Sequence, residues 1–351
     1  MFFCLLTAFV LSPLEPSLVI SMPAGTELGP SHHVLFSPDG KRLYSTGQLG
    51  LIRASDPVTG KELLAIRTGE RALGSIALNP HGTRLASIHF DLLKIWDTST
   101  ARELLTFKPQ PRDSVPCLAF DRTGNRVACP VAPDTVGVWE LSTGRPLATF
   151  HGKLQTDNAR DGIHNLAYSP DGSSLAVAYS ATEFVTVWST TTRQVRFTLQ
   201  VKHPDLVWDL GVADCKVAFS PDGRLIATTG SDHDNVKIWG AANGKLIHSF
   251  KGGKTMAFTP DSRYLATLAP TWGEGTPDAK GEYHWSESGG EIRIWALATG
   301  REVFSMKVPD AESISEIAFR PGSNDLATAH GDGTVKIWDL SRVLHFSRAL
   351  R

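Results

Sequence analysis

The sequence is poor in cysteine and has no excess of charge of either sign. Its 351 residues include four cysteines and no Cys-x-x-Cys pair, which excludes a disulfide framework and a zinc site built from neighbouring residues. Cys117 and Cys129 flank one turn; two buried thiols are the favoured interpretation, and a bond between them is the alternative. Thirty-five Lys and Arg balance 36 Asp and Glu, so no long-range field attracts nucleic acid or anionic lipid, and neither is an expected partner.

The sequence also lacks a hydrophobic run long enough to cross a membrane. Its one continuous apolar run covers residues 2–11, whereas a spanning helix needs about 20 apolar residues. No Lys or Arg precedes this run, although a secretory signal usually carries such a basic segment. A cytoplasmic location is therefore favoured, and export through a weak N-terminal signal is the alternative.

No familiar catalytic or ligand-binding motif is present. The 12 histidines form no His-Glu-x-x-His or His-x-His pattern, and the chain has no phosphate-binding loop, nucleophile elbow or calcium loop. The adjacent His32 and His33 would point to opposite faces of a strand, so they are not expected to share one metal ion. We accordingly predict no catalytic residue, cofactor or metal ligand.

A repeated turn of four residues is the dominant feature of the sequence. Each turn lies between two short apolar runs, and successive turns are separated by 39 to 61 residues, so the repeats cover almost the whole chain. The turns are SPDG at 37, NPHG at 79, DRTG at 121, SPDG at 169, SPDG at 220, TPDS at 259 and RPGS at 320.

Each repeat contains enough apolar runs for four antiparallel strands. The third run usually ends in tryptophan, and a connector such as Thr-Gly leads into the fourth. Alternating apolar residues between Pro-Asp-Gly and Thr-Gly signals are typical of strands joined by hairpins. The tryptophans that mark the third runs are Trp96, Trp139, Trp188, Trp239, Trp295 and Trp338.

Seven such units predict an all-β, seven-bladed β-propeller of four-stranded antiparallel blades. A single four-stranded sheet cannot bury both faces, whereas seven sheets stacked in a closed ring bury every stacking face. The repeat length and the Ile-Trp-Asp strand ends resemble the WD-repeat family. This resemblance implies a rigid disc that presents loops to peptides or protein domains.

The resemblance has gaps. Trp-Asp survives only at Trp96 and Trp338, Ser55 replaces the tryptophan of the first unit, and only Asp332 matches the buried turn aspartate of the family. We therefore expect the hydrogen-bond network of the family to be incomplete in every blade and apolar packing to carry more of the stability.

The predicted propeller covers residues 17–351, and residues 1–16 form an apolar segment that is either a weak signal or a strand extension. Ring closure requires one strand from the other end of the chain, because an open ring exposes a sheet edge. The alternating segment at 17–21 is predicted to supply the outer strand of the seventh blade.

Long loops collect on one face of the predicted disc, formed by the loops between second and third strands and between blades. The longest segments are 108–116, 151–163, 200–215 and 269–290. Loops on a rigid scaffold commonly bind partners, and aromatic and Arg side chains contribute most interface energy. The candidate partner-binding residues are Trp272, Tyr283, His284, Trp285, Trp208, Arg112 and Arg160. The alternative is that the tryptophans pin their own loops, which is favoured for Trp208.

A ring of cations marks the opposite face, where Lys61, Arg102, Arg145, Lys245 and Arg301 occupy equivalent turns. An acidic peptide could bind there, although solubility is the favoured interpretation. The sequence as a whole predicts a non-enzymatic scaffold for protein or peptide partners. The alternatives are an enzyme or a small-ligand or metal binder at the central channel, and the propeller part of a larger signalling protein.

Overall fold

The computed structural model describes residues 14–21, 33–47, 50–69, 73–89, 92–109, 117–152, 162–179, 184–201, 215–230, 235–272, 276–277, 283–284, 287–308 and 314–344. These residues form seven four-stranded antiparallel sheets arranged as a β-propeller. The predicted fold class is confirmed.

Each blade contains four strands, and the first strand of every blade faces the central axis. The bounds are β1 Leu18–Ser21; β2 Val34–Phe36, β3 Leu43–Thr46, β4 Leu51–Ser55, β5 Glu62–Arg67 (blade 1); β6 Ser75–Leu78, β7 Arg84–His89, β8 Leu92–Asp97, β9 Glu103–Phe107 (blade 2); β10 Ala119–Phe120, β11 Arg126–Ala132, β12 Thr135–Glu140, β13 Pro146–His151 (blade 3); β14 Ile163–Tyr168, β15 Ser174–Tyr179, β16 Phe184–Ser189, β17 Val195–Gln200 (blade 4); β18 Val217–Phe219, β19 Leu225–Thr229, β20 Asn235–Gly240, β21 Leu246–Lys251 (blade 5); β22 Thr255–Phe258, β23 Tyr264–Trp272, β24 Thr276–Pro277, β25 Tyr283–His284, β26 Glu287–Ala296, β27 Arg301–Val308 (blade 6 and its hairpin); and β28 Ile314–Phe319, β29 Asp325–His330, β30 Thr334–Asp339 (blade 7).

Blade 7 contains strands from both ends of the described chain. Its sheet order is β1-β30-β29-β28, and β1 pairs antiparallel with β30 from Leu18 opposite Ile337 to Ser21 opposite Thr334. The Ser17 amide also donates to the Ile337 carbonyl, at 2.7 Å. The outer position of blade 7 is thus occupied by the strand that precedes blade 1.

An apolar cluster fills each seam between neighbouring blades. In six seams the cluster includes the tryptophan of the following blade, and every one of these indoles is buried. Phe250 of blade 5 stacks on Trp295 of blade 6 with ring centroids 4.5 Å apart. The cluster between blades 7 and 1 contains no tryptophan among its described residues, because Ser55 occupies that position.

Part of the hydrogen-bond network of the seam tryptophans is present. The indoles of Trp96, Trp239, Trp295 and Trp338 donate to a Ser or Thr hydroxyl on the neighbouring strand, at 2.9 to 3.0 Å. In blade 7 the network includes one more residue, because the Thr328 hydroxyl forms hydrogen bonds with both Trp338 and His330. Asp332, expected to be a buried turn residue, is exposed, because its carboxylate accepts hydrogen bonds from Thr334 in its own surface turn.

The turns have the backbone geometry that their glycines predict. Gly60, Gly144 and Gly300 follow threonine in the connectors and have φ near +70°, a conformation that costs glycine little. Ala101 and Arg193 adopt the same positive φ at the equivalent positions. These two turns therefore carry backbone strain that the glycine turns avoid.

Cys117, Cys129 and Cys215 are buried thiols that form no disulfide bond. The favoured interpretation of Cys117 and Cys129 is confirmed. Burial raises the pKa of both thiols well above the ordinary range of cysteine, so neither is a reactive thiolate at neutral pH.

Within the described ranges, helix is confined to residues 341–344. Among the residues that the structure covers, no helix is long and apolar enough to cross a membrane.

Candidate functional site

The sequence-predicted partner residues fall largely outside the part of the chain that can be described. Arg112, Arg160, Trp208 and Trp285 lie outside the described residues. Trp272 ends β23, and Tyr283 and His284 form β25; the backbone is described at all three positions. Their roles as partner-binding residues stay predictions.

The backbone places Trp272, Tyr283 and His284 on one extension of blade 6. Strands β23 and β26 contain 9 and 10 residues, whereas the corresponding strands of blade 5 contain 5 and 6. Their pairing continues to Trp272 opposite Glu287, and the hairpin β24–β25 follows between them. We call residues 269–290 the blade 6 arm. Its described strand residues lie on the loop-rich face, because the loop between second and third strands lies there.

A second group of side chains lies on the same face at the mouth of the central channel. The pairing of first and second strands in each blade makes seven positions equivalent, each immediately before a buried apolar residue at or beside the first strand. We call them the channel ring, one residue from each blade: His33, Ser75, Cys117, Asn165, Lys216, Thr255 and Glu316.

His33 and Glu316 form an ion pair between blades 1 and 7. The His33 Nδ1 atom lies 3.1 Å from Glu316 Oε2, and the two side chains are 21% and 28% exposed. The Val34 amide donates to the same carboxylate oxygen at 3.0 Å, and His33 Nε2 lies 2.9 Å from the Gly74 carbonyl oxygen of the segment that leads into blade 2. Both ring nitrogens of His33 therefore face acceptors, which favours the doubly protonated imidazolium.

The electrostatic surroundings agree with this ionised pair. Burial alone would lower the pKa of His33, but the charge and hydrogen bond of Glu316 and the Gly74 carbonyl outweigh burial and raise that pKa. Burial would raise the pKa of Glu316, but His33, the Lys216 charge and the Val34 amide hold it below its usual range. Both members of the pair are therefore charged in the mildly acidic to neutral range.

Two further contacts link other blades through the ring. Asn165 Oδ1 of blade 4 accepts from the Val217 amide of blade 5 at 3.0 Å, and Lys216 Nζ of blade 5 donates to Thr255 Oγ1 of blade 6 at 3.2 Å. The charge of Lys216 also acts on both Glu316 and His33. Its ammonium group thus bridges the first strands of blades 5 and 6.

Sequence reasoning did not single out Glu316 or Lys216, and it considered His33 only as half of an improbable metal pair. The available signal was positional, since every ring residue stands three residues before the apolar residue that enters the repeated turn. Across the described ranges, no group of three or more His, Cys, Asp or Glu could hold a metal ion. The arrangement of the ring is suited to binding by charge and hydrogen bonds.

Comparison with known proteins supports the repeat assignment. The family model described as WD domain, G-beta repeat, matches residues 202–240 and 300–339. The chain is 24% identical over 316 residues to WD repeat-containing protein 90 of Homo sapiens, with 89% of this chain and 17% of that protein covered.

Two fungal proteins are similar at the same level. Nuclear distribution protein PAC1 of Arthroderma benhamiae is 25% identical over 291 residues, which cover 79% of this chain and 61% of that protein. Protein HIR1 of Candida albicans is 28% identical over 212 residues, covering 56% and 21%. The chain thus spans less than two thirds of the length of each relative.

Proposed function

Because the chain belongs to the WD-repeat family, we propose that it is a non-enzymatic interaction scaffold that binds peptides or protein domains through its loop-rich face. The observation that carries this proposal is the blade 6 arm, where two strands and a hairpin extend beyond the common blade length. The even balance of basic and acidic residues supports protein rather than nucleic acid as the partner.

The relatives support the same role at the level of their names. A nuclear distribution protein and other repeat-containing proteins carry regions similar to this chain. A rigid ring with variable loops is a suitable platform for such assembly, because the ring fixes the loops without constraining their sequences.

Replacement of the arm aromatics tests the proposal. We expect the triple variant Trp272→Ala, Tyr283→Ala, Trp285→Ala to lose most of the proteins that cross-link to the wild type, since aromatic anchors contribute a large share of interface energy. The measurement is quantitative mass spectrometry of cross-linked partners recovered from the native cell.

A matched control removes three exposed apolar side chains far from the arm. Leu63, Leu104 and Leu246 lie on outer strands and are exposed, and their replacement by alanine should leave partner recovery unchanged. Equal recovery by the arm variant and the wild type would contradict the use of this face.

A second candidate function is a ligand-dependent or catalytic role at the channel mouth, and the charged His33, Lys216 and Glu316 favour it. Stoichiometric calcium or zinc in the purified protein, measured by elemental analysis, would support this alternative over the scaffold.

We further propose a cytoplasmic location. N-terminal sequencing of the protein from its native cell should recover a chain that retains residues 2–11. A chain cleaved after this segment would indicate export instead.

A further inference from the structure

The seven residues of the channel ring occupy the same position in each blade, but their side chains differ in chemistry from blade to blade. The strand alternation fixes their direction, since the residue two positions further on in each blade packs into the seam with the following blade. The contacts agree: Glu316 reaches the first strand of blade 1, Asn165 that of blade 5, and Lys216 that of blade 6. Ring side chains therefore lie between first strands at the channel.

The described charges of the ring leave an excess of one positive charge. Glu316 is matched by His33, whose two ring nitrogens both face acceptors. Lys216 forms no ion pair within the described part of the chain, and its charge acts on both members of that pair. Lys216 is only partly exposed, and a partly buried ammonium group attracts an anion more strongly than one in open solvent.

Several hydrogen-bond donors of the ring have no acceptor among the described residues. Lys216 Nζ has three donor positions and one acceptor, Thr255 Oγ1, within the ranges described. In the same ranges the Asn165 amide nitrogen and the Ser75 hydroxyl have no partner, and the oxygen Glu316 Oε2 already accepts from two donors. A ligand that supplies acceptor oxygens fits this set of groups.

We propose that the channel ring binds the side-chain carboxylate of an Asp or Glu residue in a partner peptide, with Lys216 as the main anionic contact. The proposal rests on the proposed function, because the ring and the blade 6 arm open on the same face. The loop-rich face would hold the body of the partner, and the ring would select an acidic residue that reaches the channel mouth.

An octaglutamate peptide carrying a fluorophore tests the proposal by fluorescence anisotropy at low ionic strength. We expect saturable binding by the wild type and none of an octalysine peptide. Lys216→Met should weaken octaglutamate binding about tenfold or more, because a charge-assisted hydrogen bond is lost. Lys216→Arg should restore most of the affinity, since it keeps the charge.

Lys245→Met is the matched control, because Lys245 belongs to the cation ring on the opposite face. It should bind octaglutamate like the wild type. Absence of saturable binding by the wild type, an unchanged affinity of Lys216→Met, or loss of affinity in Lys245→Met would each overturn the channel proposal. A melting curve of each variant shows that it is folded before binding is compared.

Failure of this proposal is distinguishable from failure of the scaffold role. If the arm variant loses its cellular partners while Lys216→Met retains them and binds octaglutamate normally, the loop-rich face is used without the channel ring. If neither variant changes partner recovery, the scaffold role at this face fails as well.

Discussion

At the residue scale, the seam of Trp188 lacks the hydroxyl group that accepts from the tryptophan in four other seams. The Trp188 indole nitrogen is buried and has no hydrogen-bond partner among the described residues. Val177 stands where blades 5, 6 and 7 have Thr228, Thr267 and Thr328, each of which accepts from its tryptophan. The unpaired donor costs stability, because burial removes its hydrogen bond to water.

Val177→Thr should therefore stabilise the protein by about 1 kcal/mol, since it supplies an acceptor of nearly the same size. The measurement is the thermal midpoint, which should rise by roughly 1 to 3 °C. The reciprocal variant Thr228→Val removes the acceptor of Trp239 and should lower the midpoint. A lower thermal midpoint for Val177→Thr would show that the missing acceptor of the Trp188 indole does not limit stability.

The ion pair of His33 and Glu316 predicts a particular pH dependence. The lowered pKa of Glu316 contributes stability above its ordinary value of 4.5, and this is lost as pH falls. The raised pKa of His33 contributes below its ordinary value of 6.5, and this is lost as pH rises through the folded-state pKa. The pair therefore stabilises the protein most between these two values.

Glu316→Gln should lower stability by about 1 to 2 kcal/mol near pH 5.5 and by less at pH 8. Thermal midpoints of wild type and variant across this range give the comparison. Glu103→Gln is the control, because Glu103 is 44% exposed and lies 3.9 Å from Lys94, a surface pair of little energetic value. A difference that does not shrink from pH 5.5 to pH 8 would argue against an ionised His33.

At the element scale, the connector between third and fourth strands has a residue with positive φ, whether that residue is glycine or not. Gly144 has φ +68°, and a Cβ there would meet only the Leu105 side chain at ordinary contact distance. Arg193 holds φ 58° at the equivalent turn of blade 4, and its side chain is exposed. Substitutions at these two positions should therefore change backbone strain with little change in side-chain packing.

Arg193→Gly should stabilise the protein by about 0.5 to 1 kcal/mol, because relief of left-handed strain exceeds the added flexibility of glycine. Gly144→Ala should destabilise the protein by about 1 kcal/mol, because alanine adds left-handed strain that glycine avoids. Both effects are read from thermal midpoints. Changes of the same sign in the two variants would rule out strain at this turn as the cause.

At the scale of the whole molecule, the ring depends on one strand of four residues. Strand β1 completes blade 7, and its Ile20 lies in the cluster between blades 7 and 1. That cluster lacks the tryptophan of the other seams, and the His33–Glu316 pair and the Arg320 bond to the Gly40 carbonyl at 2.8 Å also cross it. Closure combines a strand pairing with polar contacts.

Deletion of residues 1–24 should lower the thermal midpoint markedly, because it exposes the edge of β30 and part of a seam. Deletion of residues 1–13 alone keeps β1 and should leave the midpoint close to that of the full chain. Differential scanning calorimetry measures both. An unchanged midpoint in the longer deletion would mean that β1 does not contribute to closure.

Sequence periodicity predicted the fold well because every blade repeats the same turn and strand pattern. Turns such as Ser-Pro-Asp-Gly and Thr-Gly mark strand ends by their backbone preferences, and these preferences depend on neighbouring residues alone. The seam tryptophans could be recognised for the same reason, as they recur at one strand position.

The channel ring could not be predicted in this way. Its members differ in chemistry from blade to blade, so no repeated residue type marks the position. The contact of His33 with Glu316 spans 283 residues and depends on ring closure. The hydroxyl partners of the tryptophans were likewise missed, because pairing across strands decides which Ser or Thr meets an indole.

The pairing of β1 with β30 has a consequence during synthesis of the chain. Ser17 and Ile337 are 320 residues apart, so at about 5 to 20 residues per second the ribosome needs roughly 16 to 64 s to make the partner of this strand. Leu18, Val19 and Ile20 must wait for that interval without their final neighbour, while blades 1 to 6 can form behind them. A chaperone that binds short apolar strands would act on β1 during this interval, before the last blade has been synthesised.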